Sequence, residues 1–370
     1  MIIYYITIFL LFLVSFLELN YSITPRIRVI FSILIYIVLI CQVGLRWETG
    51  TDWNSYLAHF DSISDLDSTS PFLTGMEYGY NLFIWGIKKI SDNYSFFLFV
   101  HAIIYYFLIF KSFKKIISYQ FVALLMFYTT SMGMMGSNRQ LLAAAICLYS
   151  LKFVVSKKPI KFSLLILIAI SFHTTAFLFA IYYFLNKEIK PIPLFIVLFS
   201  AIIIGRTQVV MSLFEGIGNL IGGNASDKTA IYLAGAQDEL TQAQVSTIGL
   251  IKRIVFILIF YSNRRKITQY LPNYHLILNG YIVGLIFYFL FSSSLLIMVS
   301  RGNFYFSIME SLLIAAQLVL IKDKTTINIV FILLLIMSIA FLFQSISPYP
   351  DLFDPYKGLF INTDFHREIH

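Results

Sequence analysis

The chain has 370 residues, of which 59% are hydrophobic, 17% aromatic and only 12% charged, and its mean hydropathy is +0.81. Soluble domains carry roughly a quarter charged residues, so a water-soluble globular fold is excluded. The net charge of +8 sits in short Lys/Arg clusters between apolar runs, which is the pattern of cytoplasmic loops under the positive-inside rule and not the basic face of a nucleic-acid binder.

Apolar runs recur at 29–43, 95–110, 162–172, 277–299 and 327–343. The hydrophobic surface is therefore spread along the chain, and 1–370 reads as a single, all-α, polytopic transmembrane domain. Residues 1–18 are apolar but lack a basic n-region and a small-residue cleavage site, so the first span is expected to be retained. In chain order the spans fall at 2–19, 27–43, 95–111, 120–134, 140–155, 161–172 paired with 174–185, 191–205, 247–261, 275–298, 304–320 and 325–343. That makes about 12 helices, several shorter than the ~20 residues of a straight crossing. Residues 77–90 are expected to form a re-entrant or interfacial helix. Cys41 and Cys147 lie inside apolar segments without neighbours at metal-ligand spacing, so no disulfide and no metal site is expected.

The basic clusters Arg26/Arg28, Lys111/Lys114/Lys115, Lys157/Lys158/Lys161, Lys187/Lys190, Arg264/Arg265/Lys266 and Lys322/Lys324 share the cytoplasmic side if 172–174 is an outward-facing break. Most carboxylates then lie outside. Two stretches are long enough for outer structure. In 46–76, Trp53, Tyr56, Leu57 and Phe60 stand at helical spacing behind Thr51-Asp52, which reads as an amphipathic helix on the membrane surface. In 206–246, Gly216, Gly218, Gly222, Gly223 and Asn224 point to a flexible outer loop.

Polar residues at helix ends in a membrane are functional candidates. The segment from Gly44 to Tyr56 gathers Arg46, Glu48 and Asp52. At a similar depth lie Glu77, Arg139-Gln140, His173 in Ser-Phe-His-Thr-Thr, and Arg301, and Lys252-Arg253 adds two cations inside a helix. Each has a plain alternative: arginines snorkel, and a lone histidine packs into a core. Together, cations on the face that the positive-inside rule depletes imply an anionic ligand, and a lipid-linked pyrophosphate suits planar guanidinium forks. Carboxylates and a histidine beside them can take the proton from an attacking sugar hydroxyl. No Asp-x-Asp pair is read as marking a nucleotide-sugar metal site, and there is no Walker A or dinucleotide glycine pattern, so the chemistry is expected to use no nucleotide, metal or other cofactor.

The string Gly44-Leu-Arg46, Thr49-Gly-Thr-Asp52, Tyr56, Glu77-Tyr-Gly-Tyr80, Arg139-Gln140 before an Ala-rich helix, Phe172-His173 and a closing Pro355-Tyr-Lys357 resembles the EpsG-like branch of the Wzy-type polysaccharide polymerases. The resemblance implies a GT-C-like arrangement in the bacterial inner membrane. It also implies polymerisation of O-antigen or capsule repeat units carried on undecaprenyl pyrophosphate, with a chain-length regulator and a flippase as partners. On that reading His173, Asp52 and Glu77 are the candidates for base, with His173 first, and Arg46, Arg139, Gln140, Arg253 and Arg301 bind the pyrophosphate. Arg206 and Gly222 match an Arg-fifteen-residues-Gly element of some Wzy proteins, whereas position 317, sixteen after Arg301, is Gln. A lipid-linked oligosaccharide flippase or a polytopic O-acyltransferase are the alternatives.

Overall fold

The computed structural model describes residues 1–221, 229–230, 233, 247–295 and 298–367. Among them the secondary structure is helical apart from two isolated backbone bridges. Helices close their backbone hydrogen bonds internally, which a chain surrounded by lipid requires. The protein is a multi-pass helical membrane protein. Five described helices are long and apolar enough to cross a bilayer: α1 Ile2–Asn20, α2 Pro25–Gly44, α6 Tyr94–Ile116, α14 Tyr274–Phe291 and α16 Lys324–Ile346. Among the described residues the sequence spans at 161–172, 174–185 and 304–320 are present as shorter apolar helices, in keeping with the expectation that several helices are too short for a straight crossing.

The chain divides into two compact units. The first holds Met1–Ala180 and Ile314–His370. In it α2 packs on α6, α6 on α8 (Asn138–Val155), α8 on α9 (Pro159–Phe172), and α1 on both α7 (Gln120–Ser131) and α16. One end of this unit is fixed by Glu18, whose buried carboxylate accepts from Gln120 N at 3.1 Å and Phe121 N at 2.9 Å. That carboxylate caps the positive end of α7, and Arg28 reaches it at 3.6 Å while donating to Ser118 O at 3.3 Å.

The opposite end carries the short elements. Helix α3, Trp53–Ser62, forms as the spacing predicts, but its apolar face is turned into the protein. Trp53, Tyr56 and Phe60 are buried against Tyr80, Ile84, Tyr94 and Phe97 of α5 (Tyr78–Lys88) and α6. The amphipathic pattern is satisfied by aromatic packing and not by the membrane surface. The 11-residue α5 spans about 16 Å, too short to cross a ~30 Å hydrocarbon core. Between α9 and the 3-10 helix Thr174–Phe184, His173 is extended, with φ −154° and ψ 120°, so the break expected at 172–174 is present.

The second unit covers Ile181–Leu313. Helices α10 (Pro191–Gly205) and α12 (Thr247–Ser262) pack on α14, and Arg264 and Arg265 both approach Glu188 at 3.4 Å. Two boundaries differ from the sequence expectation. Helix α14 stops at Phe291, well before 298, because Ser292–Ser294 interrupts it and Ser293 Oγ donates to Gly205 O instead; serine hydroxyls compete with the helical ladder. The loop expected from 206 begins with a helix, α11 Val209–Ile221. Val209, Val210, Leu213 and Phe214 supply a 3.6-residue period that outweighs its glycines. The remainder of that loop, Gly222 included, lies outside the described residues apart from 229–230 and 233.

Candidate functional site

The motif that follows α2 is held by backbone. Trp47 N donates to Lys357 O at 3.0 Å, Leu359 N to Leu45 O at 2.9 Å and Gly50 N to Leu352 O at 2.9 Å, so the C-terminal segment lies along it. Thr51 N donates to Met135 O at 2.9 Å. Gly50 and Gly136 have φ of +100° and +119°, and a Cβ on either would stand 2.3 Å from Met135 O or 2.0 Å from Thr51 O. Only glycine permits this backbone-on-backbone crossing, and it brings the segment 46–52 against the start of α8. Glu48 and Asp52 also have positive φ, 46° and 56°, which side-chain-bearing residues adopt at a cost of about 1–3 kcal/mol when the surrounding structure holds them there.

Arg46 lies in the interior of this crossing, 1% exposed. Its guanidinium donates to Val43 O at 2.6 Å, at the negative end of α2, and to Asn138 Oδ1 at 2.8 Å, and it stands 5.8 Å from the Trp53 ring centroid. Among the described residues no carboxylate lies within ion-pair distance of it, and burial pulls its pKa below the ordinary value. Asn138 is held from a second side by His101 Nε2, 2.8 Å from its carbonyl oxygen. The charge of Arg46 is thus used to fix the residue that precedes Arg139.

Arg139 opens α8 and meets Glu77, the N-cap residue of α5. The two side chains form an ion pair, 18% and 17% exposed, and Arg139 Nε donates to Tyr56 OH at 3.2 Å. The other Glu77 oxygen accepts from Thr174 N at 3.0 Å and Thr174 Oγ1 at 2.9 Å. Burial by itself raises the Glu77 carboxyl, but Arg139, the Thr174 N–H and nearby His173 outweigh it and hold the group below the ordinary 4.5. His173 is buried beside this pair, its Nδ1 2.7 Å from Thr175 Oγ1. Asp52 is exposed at the N-terminus of α3 and makes no side-chain cap bond. Glu48 binds Lys357 Nζ at 2.7 Å and accepts from Trp47 Nε1 at 3.0 Å. Here too burial raises and the Lys357 bond lowers, with a net shift downward.

Six residues singled out in the sequence, Arg46, Asp52, Glu77, Arg139, Gln140 and His173, belong to the first unit, and Gln140 is buried in α8. Arg253 and Arg301 belong to the second. Arg253 stacks 3.6 Å over Tyr288 and donates to Gly249 O at 2.9 Å. Arg301 is exposed on one π-helical turn, Met298–Gly302. The cost of Lys252 inside a helix is met by Glu310 at 2.8 Å. Sequence reasoning missed Glu310, although a lone Glu within the apolar run 304–320 was its signal. It also missed His59, fixed by Asn81 at 2.8 Å and lowered in pKa by burial, as well as Asn138 and Thr174. The expectation of no Asp-x-Asp pair needs correcting, because Asp65-Leu66-Asp67 has that spacing. Here Asp65 accepts from Ser68 N at 2.8 Å and closes a turn.

No curated protein and no solved structure matches the chain. The model of the EpsG family matches residues 29–357, a range that holds every residue of the Arg46–Asn138 and Glu77–Arg139–Thr174 clusters. The chain belongs to the EpsG family.

Proposed function

We propose that this chain is a membrane glycosyltransferase that joins lipid-pyrophosphate-linked oligosaccharide repeat units into a polysaccharide, without a metal, at the outer face of the bacterial cytoplasmic membrane. The observation that carries the reading is the Glu77–Arg139 pair bound to the Thr174 turn beside His173, at the end of the first unit away from Arg28 and Ser118. An acceptor sugar hydroxyl attacks the anomeric carbon of the donor glycan. The bond to the carrier pyrophosphate breaks with its electron pair leaving on the phosphate, and a base takes the hydroxyl proton.

In this proposal Arg139 stabilises the leaving pyrophosphate, a contact worth most in a partly dehydrated site. Both Glu77 oxygens are engaged, which suits it to aim Arg139 and not to accept a proton. His173 is assigned as base, and Asp52 as the group that binds a sugar hydroxyl. Arg46 is too buried to touch substrate and serves by holding Asn138, while Gln140 supports the same helix start. Arg253 and Arg301 keep the role their sequence positions give them, as cations for the anionic carrier. A chain-length regulator and a flippase are the proposed partners.

The glycan ladder of a deletion strain tests the reaction class. Single-repeat lipid caps support a polymerase, whereas absence of outer glycan indicates a flippase and refutes the proposal. Polymer yield from purified His173→Gln, measured over a pH range of roughly 5–8 around the imidazole pKa, tests the base. Full yield with an unchanged pH profile removes His173 and moves the role to Asp52.

A further inference from the structure

The first unit has a groove between α2 and α6, about 270 Å³ in volume, walled by Ile33, Tyr36, Phe107 and Phe110 and bordered by Lys111 and Lys114. Its walls face outward: Ile33 is 53% and Phe107 48% exposed, and in a membrane-spanning helix pair such surface meets acyl chains. Tyr36 does not make the floor polar, because its hydroxyl donates to Ile103 O at 2.8 Å. At the basic end Lys111 and Lys114 are exposed, and among the described residues neither has a carboxylate within ion-pair distance. The neighbouring charges are already matched. Arg28 pairs with Glu18, and the N-terminus of α7 at Gln120, also on the groove, is capped by the same carboxylate. An anion arriving here therefore meets two ammonium groups without a carboxylate partner: Lys111 Nζ stands 5.5 Å from the Phe107 ring centroid, and Lys114 in the last turn of α6 offsets the negative end of that helix.

We infer that this groove is a binding site for one anionic glycerophospholipid, with an acyl chain along Ile33, Phe107 and Phe110 and its phosphate on Lys111 and Lys114. Basic pockets between membrane helices on the cytoplasmic side take such headgroups, and this end is cytoplasmic by the positive-inside rule. The groove is not the place for the carrier-linked substrate. Helix α2 has 20 residues, about 30 Å, and runs from the basic end to Gly44, beside the Arg46 cluster at the far end. The inference does not depend on which reaction the chain performs.

The test uses the full chain purified in detergent, titrated with dioleoylphosphatidylglycerol or dioleoylphosphatidylcholine and read by native mass spectrometry. One phosphatidylglycerol is expected to saturate. Each lysine contributes roughly fivefold, so the preference for phosphatidylglycerol over phosphatidylcholine is about 25-fold. Lys111→Gln/Lys114→Gln should erase that preference and Lys111→Arg/Lys114→Arg should retain it. Ile33→Trp, which narrows the groove, should weaken both lipids. Equal binding of the two lipids by the wild type, or an undiminished preference in the Gln double variant, overturns the assignment. So does displacement of phosphatidylglycerol by equimolar undecaprenyl phosphate, which would give the groove to the carrier.

Discussion

Replacing Glu77 by Gln retains an oxygen to accept from Thr174 and removes the charge opposite Arg139. The pair is 17% and 18% exposed, between the surface limit of 0–1 kcal/mol and the 3–5 kcal/mol lost when one partner of a buried pair is removed. Arg139 retains its bond to Tyr56 OH and the Tyr56 ring 5.8 Å away, so part of its charge remains solvated by the protein. The expected destabilisation is about 2 kcal/mol, about a 30-fold change in the unfolding equilibrium. A double-mutant cycle over Glu77→Gln, Arg139→Gln and the double variant, followed by SDS-induced unfolding in mixed micelles, should return a coupling of about 2 kcal/mol. Polymer yield should fall by a similar factor in all three, because residues that act as a unit lose their effect together. A coupling below about 0.5 kcal/mol would show an ordinary surface pair and refute the claim that Glu77 aims Arg139.

Gly136→Ala forces a Cβ to 2.0 Å from Thr51 O at φ +119°, so it should destabilise by about 3 kcal/mol or more; a normal monodisperse yield by size-exclusion chromatography would contradict the crossing. Glu48 and Glu77 both have carboxyl pKa values below the ordinary 4.5, so their contribution to stability is complete above about pH 4.5 and declines as pH falls through the lowered folded-state values. Unfolding curves between pH 7 and pH 3 should show that decline, and Glu48→Gln/Glu77→Gln should flatten it. For topology, Asp65→Cys, made after removal of Cys41 and Cys147, should react with an impermeant thiol reagent in intact spheroplasts; labelling only in broken membranes would invert the proposed orientation.

Hydropathy along the chain was sufficient for class and approximate element positions, because lipid demands internally bonded helices wherever apolar residues run on. The span written as 191–205 is observed as Pro191–Gly205, and that written as 247–261 as Thr247–Ser262. The polar residues at helix ends were equally legible, since a charge near the bilayer must have a reason to be there. What each of them does was decided by tertiary contacts. Arg46 and Arg139 look alike as arginines at helix ends, yet Arg46 is sealed by the Gly50–Gly136 backbone crossing, whereas Arg139 reaches Glu77, sixty-two positions away in the chain. The spacing of Trp53, Tyr56 and Phe60 announced an amphipathic helix, but whether its apolar face met lipid or protein depended on the aromatic rings that α5 and α6 bring beside it. Periodicity records only that a face is apolar; its partner comes from folding elements that are distant in sequence.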